Sequence, residues 1–235
     1  MTRWIVAHTD TKAQGHSMAG RLAAVWAVLV AGGLLTGLAL ARLGGPPGNA
    51  AVAAGAAAAL GAGFLATRGR LRGTTEGARD NGSGLVAALT AAAACHDPAT
   101  GFLLTGAEEF GLVGARILGK TRPELVRGTR VINIDTVDDR GVLALVSHDA
   151  AGRGLAARLR PLLTGDATPV RERRLPLGIF VDSYPLARAG AAAVTIGRLD
   201  WSTLRRLHTP RDTREGFAFD TALRLGLLLG REGAE

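Results

Sequence analysis

From Leu22 to Ala41 the chain runs for twenty residues without a charge, and it does so again over the eighteen residues from Ala50 to Thr67. As helices, at ~1.5 Å rise per residue, such runs reach ~30 Å, the thickness of a bilayer's hydrocarbon core. Lengths like these are unusual in soluble helices. We therefore read residues 21–67 as an inserted transmembrane helical hairpin, turned at the Gly- and Pro-rich segment 42–49. The second run is the weaker span, because alanine is only marginally apolar. Gly33 and Gly37, and likewise Gly55, Ala59 and Gly63, are spaced four apart, which predicts close helix packing in lipid. A cleavable signal peptide is excluded, since it would discard His8 and the run starts too far in. Arg3, Lys12 and Arg21 precede the hairpin and Arg68, Arg70 and Arg72 follow it, against only Arg42 in the turn. The positive-inside rule then puts both outer ends in the cytoplasm. A hairpin returns the chain to the side it left, so residues 1–20 and 68–235 are expected to form a single domain.

The net charge of +8 and pI near 11.1 would ordinarily suggest nucleic acid, but all the basic residues except Lys12 and Lys120 are arginine. They accompany abundant Ala and Gly, and no basic run is interleaved with aromatics of the kind that stack bases. Nucleic acid is not an expected partner. The single cysteine, Cys95, cannot form an internal disulfide, and in its Ala-rich run it reads as a small buried hydrophobe.

Outside the hairpin, apolar runs and helical patterns alternate. Strands are predicted at Trp4–Ala7, from Phe102, over Thr129–Asp135, at Gly141–Ser147 and at Ala192–Gly197. Helices are predicted at about Ser83–Cys95 with Ser83 as cap, Val113–Lys120, Arg153–Leu163 and Phe219–Arg231, with a short one after Phe180–Pro185. Pro161–Arg174 reads as a loop. The fold class is α/β, with a mostly parallel central sheet flanked by helices and interrupted by the hairpin. In such sheets the site lies beyond the carboxyl ends of the strands, where His8, Glu108, Glu109 and Asp135 fall.

Glu108 and Glu109 are adjacent carboxylates after a strand. At a strand end neighbouring side chains point to opposite faces, so one can bind a cation while the other reaches a water on it. His8, Asp80, Glu109, Asp135 and His208 together are two imidazoles and three carboxylates, a ligand set suited to zinc. Three carboxylates against two Zn²⁺ leave one positive charge, which a bound hydroxide cancels, provided that one carboxylate bridges.

Six pieces carry a resemblance: Ala7–Asp10, Gly77–Gly84, Ala107–Ala115, Asn133–Asp135, Asp182–Pro185 and His208–Asp212. In this order they resemble the di-zinc aminopeptidase family that includes bacterial leucyl aminopeptidases, glutamate carboxypeptidase and glutaminyl cyclase. The resemblance implies that Asp80 bridges two zinc ions, that His8 and Asp135 hold one, and that Glu109 and His208 hold the other. It makes Asp10 the support of His8 and Glu108 the general base. Asp182 and Tyr184 fall in a segment bordering the family's substrate pocket. The implied activity is hydrolysis of N-terminal peptide bonds in substrates with a free amino terminus, through a metal-bound hydroxide. The alternatives are a glutaminyl-cyclase-like acyl transfer and an inactive membrane scaffold. A scaffold, however, has no physical need to hold buried like charges together. Three departures stand out. Strands usually precede the His-x-Asp strand, whereas His8 lies almost at the start, as in a fragment or a late start. The hairpin replaces a short connection, and Ser183 stands where many members have His.

Overall fold

Alternation in the strands builds a sheet that is apolar on both faces. The computed structural model describes residues 1–42, 45, 48–67, 69–164 and 169–232. Its strands are β1 (Arg3–His8), β2 (Thr100–Thr105), β3 (Arg130–Val137), β4 (Val142–Ser147), β5 (Val170–Arg173) and β6 (Ala192–Leu199), in the order β2-β1-β3-β6-β4-β5. β1, β2, β3 and β6 are parallel; β4 is antiparallel to β6, and β5 is parallel to β4. The sheet is thus mostly parallel, as the sequence leads one to expect.

The helices are α1 (Met18–Ala41), α2 (Asn49–Thr67), α3 (Ser83–Ala94), α4 (Val113–Thr121), α5 (Ala150–Leu163), α6 (Ser183–Arg188), α7 (Trp201–Leu204) and α8 (Asp220–Arg231). One face of the sheet buries Ile5, Ala7, Ile132, Ile134, Val194 and Ile196 beneath α3, α5 and α8. The other buries Val6, Val131 and Ala193 beneath α4 and α6. Successive strand residues face opposite ways. His8 therefore shares the α4/α6 side with Trp4 and Val6, and Asn133 and Asp135 share it with Val131. Val6 pairs with Asn133, so His8 and Asp135, each two residues further on, end side by side.

Three local expectations need correction. Val170–Arg173 is a strand rather than loop, stabilised by pairing with β4 although its arginines are exposed. Ser83 is inside α3 and does not cap it; its hydroxyl donates to Arg79 O and accepts from Val137 N. Asn81 satisfies the first turn instead, its side-chain oxygen accepting from Gly84 N at 3.0 Å. Cys95 is only partly buried, at the end of α3.

α1 and α2 are long and apolar enough to cross a membrane, and they pack against each other with most of their surface outward. In α1 only Met18, Ala19, Leu22, Ala24 and Ala31 are buried, while Trp26, Val30, Leu34 and Leu40 are exposed. Of the two glycine series, Gly55 faces the neighbouring helix, where a Cβ would come 2.7 Å from Leu38 Cδ1. Gly33, Gly37 and Gly63 have nothing within 4 Å of a Cβ, so they do not form the close contact expected of them. Within the expected turn, Leu43, Gly44, Pro46 and Pro47 lie outside the described residues, as does Arg68.

Candidate metal centre

Five side chains from five separate segments meet beyond the carboxyl ends of β1 and β3. His8 ends β1 and Asp135 lies near the end of β3. Asp80 comes from the turn before α3, Glu109 from the turn after β2, and His208 from the loop before α8. His8 Nε2 lies 3.3 Å from Asp80 Oδ1 and 3.7 Å from Asp135 Oδ1. His208 Nε2 lies 3.3 Å from Asp80 Oδ2 and 3.2 Å from Glu109 Oε2. These form two three-donor groups, His8–Asp80–Asp135 and Asp80–Glu109–His208, with the donor atoms of each within 4.8 Å of one another. Asp80 belongs to both and turns one oxygen toward each imidazole.

The donors are buried and incompletely satisfied. His8 Nε2, His208 Nε2 and Glu109 Oε1 are sealed from solvent without a hydrogen-bond partner. Buried polar atoms ordinarily find partners, so several orphans converging on one spot mark a place built for a cation. His8 Nδ1 lies 3.0 Å from Asp10 O, a contact that fixes the ring and leaves Nε2 for the centre.

The protonation states express the same crowding. Burial pulls the His8 imidazolium down, but Asp10, Asp135 and Asp80 outweigh it and hold it far above the usual histidine range. Burial likewise opposes Asp80 and Asp10 and is outweighed, by His208 and His8 for Asp80 and by His8 for Asp10, so both carboxyls are depressed. For His208, burial is overcome by Asp80 and Glu109, and the ring rises to about 9. Glu108 is pushed up to about 10 by burial, then by Asp135, Asp80 and Glu109 around it.

Glu108 and Glu109 do not sit at a strand end as expected. β2 stops at Thr105 and both glutamates lie in the turn that follows. Their placement comes from Asp10, whose carboxylate accepts from Glu108 N at 3.0 Å and Glu109 N at 3.1 Å. Asp10 thus serves His8 chiefly through its backbone oxygen, its carboxylate standing 3.7 Å from Nδ1. Among the described residues, five non-glycine residues have φ of 55 to 63°, and three of them, Ala107, Thr136 and His208, lie in or next to the site. Left-handed backbone at such residues costs free energy and gathers where geometry is over-determined.

Four supporting residues were not legible in the sequence. Lys12 Nζ lies 2.9 Å from Glu109 Oε2 and donates to Glu109 O at 2.8 Å. Asp212 accepts from Arg79 N at 2.9 Å and Asp80 N at 3.1 Å, tying the Asp80 turn to the His208 loop. Arg79 donates to Asp138 at 3.1 Å and packs 4.4 Å over the Phe217 ring. The only cue in the sequence is that Arg79 and Asp212 fall inside the two motif segments.

Beside the centre opens a cleft of about 520 Å³, with Glu108 and Lys12 at its polar end and walls that include Val146, Ile179, Phe180 and Leu204. Asp182 and Tyr184 do not line it. Tyr184 is half exposed and packs edge-on against His148, at a neighbouring groove. Asp182 is fully buried and accepts from Thr105 Oγ1 at 2.5 Å. Burial raises its carboxyl to about 6, against the Thr105 hydrogen bond that lowers it. A raised folded-state pKa means that this group's stability is complete below about 4 and is lost as pH rises through about 6. Asp182→Asn keeps an acceptor for Thr105 and removes the charge. The variant is expected to gain on the order of 2 kcal/mol relative to the parent at pH 7 and nothing at pH 4, read from unfolding at the two pH values.

The model of peptidase family M28 matches residues 64–230, a segment that contains Asp80, Glu108, Glu109, Asp135 and His208. The chain belongs to peptidase family M28. Solved structures share the fold: the LapA aminopeptidase of Legionella pneumophila (20% identity, 69% of this chain and 47% of that one, TM-score 0.57), BSAP, a zinc aminopeptidase from Bacillus subtilis (16%, 97% and 44%, 0.54), and an aminopeptidase from Aneurinibacillus sp. strain AM-1 (22%, 66% and 39%, 0.52). This M28 chain spans less than half the length of each of them. No curated protein matches it in sequence.

Proposed function

We propose that the chain is a zinc-dependent aminopeptidase that hydrolyses N-terminal peptide bonds. The observation that carries this reading is Asp80, whose two oxygens face two imidazoles in two donor groups that share no other member. In the proposal His8, Asp135 and Asp80 hold one ion, and Asp80, Glu109 and His208 hold a second. Bound zinc supplies Lewis acidity, acidifying water and polarising a carbonyl. Glu108, at the polar end of the cleft, takes the proton of the attacking water and gives it to the leaving amine. Its raised pKa comes first from burial and then from the carboxylates crowded around it, and dications held among those carboxylates would reverse that field and favour its basic form. Lys12 and Asp10 position the turn that carries both glutamates. The site reads a free N terminus. The protein should therefore cleave unblocked aminoacyl anilides and leave their N-acetylated forms intact; equal cleavage of both would remove the aminopeptidase reading.

In the same proposal residues 1–20 and 68–235 form the catalytic unit, and α1 and α2 cross the bilayer with that unit on the cytoplasmic face. Mostly outward-facing apolar helices support this, because a soluble core helix would be buried. The protein should stay in membranes through an alkaline wash, and a reporter inserted at Gly48 should lie on the face opposite one at the C terminus. Release by salt alone would indicate attachment only through arginines.

A further inference from the structure

The segment 171–181 holds three arginines and Glu172, followed by seven uncharged residues from Leu175 to Val181. An apolar run in a loop is normally buried, yet Leu177 and Phe180 are 57% and 58% exposed. The loop lies against α1: a Cβ on Gly178 would be 3.3 Å from Val25 Cγ2 and 3.8 Å from Leu22 Cδ2. Leu22 and Val25 both belong to the uncharged run, so the loop stands up to ~6 Å along the helix past Arg21, at ~1.5 Å per residue. Trp201 is 62% exposed and, with Phe180, Arg173 and Arg174, borders the cleft. The turn after α7 is fastened to α1 by Met18 N donating to Leu207 O at 3.2 Å.

Exposed Trp, Phe and Leu beside arginines, level with the start of a membrane helix, have the composition of a bilayer interface. We propose that the rim formed by Leu177, Phe180, Trp201, Arg173 and Arg174 seats in an anionic bilayer surface, so that the cleft takes peptide N termini presented by membrane-anchored chains. This rests on the reading of α1 and α2 as membrane-spanning. Contact of the loop with α1 supports the bilayer as occupant, and the arginines match anionic headgroups in charge.

The test uses the full chain in anionic vesicles, with Trp4→Phe and Trp26→Phe leaving Trp201 as the sole indole. Lipids brominated at shallow acyl positions should quench it more strongly than lipids brominated deep, and aqueous iodide should quench it less than in detergent. Quenching by iodide without quenching by lipid would overturn the proposal. The counterpart with Trp4→Phe and Trp201→Phe retains Trp26: lipid quenching of Trp26 alone overturns the rim and spares the membrane reading, whereas quenching of neither removes both. For the substrate, one peptide is offered with and without a palmitoyl anchor at its C-terminal end. The anchored form should be cleaved at least ~10-fold faster through its effective concentration at the surface. Equal rates overturn the substrate clause, and cleavage of neither removes it together with the peptidase reading.

Discussion

Glu108→Gln is expected to slow hydrolysis of an unblocked aminoacyl anilide by about 10²- to 10⁴-fold while zinc content stays at the parent's level. The amide has nearly the shape of the carboxylate, so the turn held by Asp10 survives: that carboxylate grips the backbone amides of residues 108 and 109 and not their side chains. What the variant loses is a proton acceptor at the polar end of the cleft. Glu109→Gln is the contrast, because Glu109 faces His208 at 3.2 Å within a donor group. It should lose metal and activity together. A Glu108→Gln protein as active as the parent would take proton transfer away from this residue. A metal-loaded parent and Glu108→Gln variant equally inert on free-amine peptides and on N-terminal glutaminyl peptides would leave the fold as a scaffold.

Asp80→Ala should have the widest effect on metal. Removing His8 leaves the Asp80–Glu109–His208 group whole, whereas removing Asp80 leaves only two donors on each side. The expected result is loss of both ions at a chelator concentration where His8→Ala loses one. Because Asp80 N is also held by Asp212 and the turn is packed against the His208 loop, Asp80→Asn serves as the control that preserves side-chain volume. It should fold like the parent and bind metal more weakly. If Asp80→Ala still retained one tightly bound ion at that chelator concentration, the bridging role would be wrong.

The parts of this arrangement that follow from local periodicity could be read in the sequence. Trp4, Val6 and His8 alternate onto one face, as do Val131, Asn133 and Asp135, and parallel pairing of β1 with β3 brings the two ends together. The lengths of α1 and α2 follow from their uncharged runs. What stayed hidden depends on contacts across the fold. The orientation of Glu108 and Glu109 is set by Asp10, nearly a hundred residues earlier, so a rule for strand ends misplaced them. Lys12 and Asp212 look like ordinary surface charges until the fold sets them against Glu109 and Arg79. The interface of α1 with α2 uses Gly55 and leaves Gly33 and Gly37 outside, because four-residue spacing marks a possible stripe without saying which stripe meets the neighbour. β5, with three charged residues in four, exists only because β4 offers it an edge.

The central claim is that two donor groups sharing Asp80 hold two ions. Metal content per chain tests it most directly, counted on purified full-length protein dialysed against trace zinc at neutral pH, where the cation competes with the protons that the crowded carboxylates otherwise favour on His8 and His208. The account predicts about two zinc ions per parent chain. A parent chain that takes up no zinc, or holds one ion tightly and never a second, would contradict it.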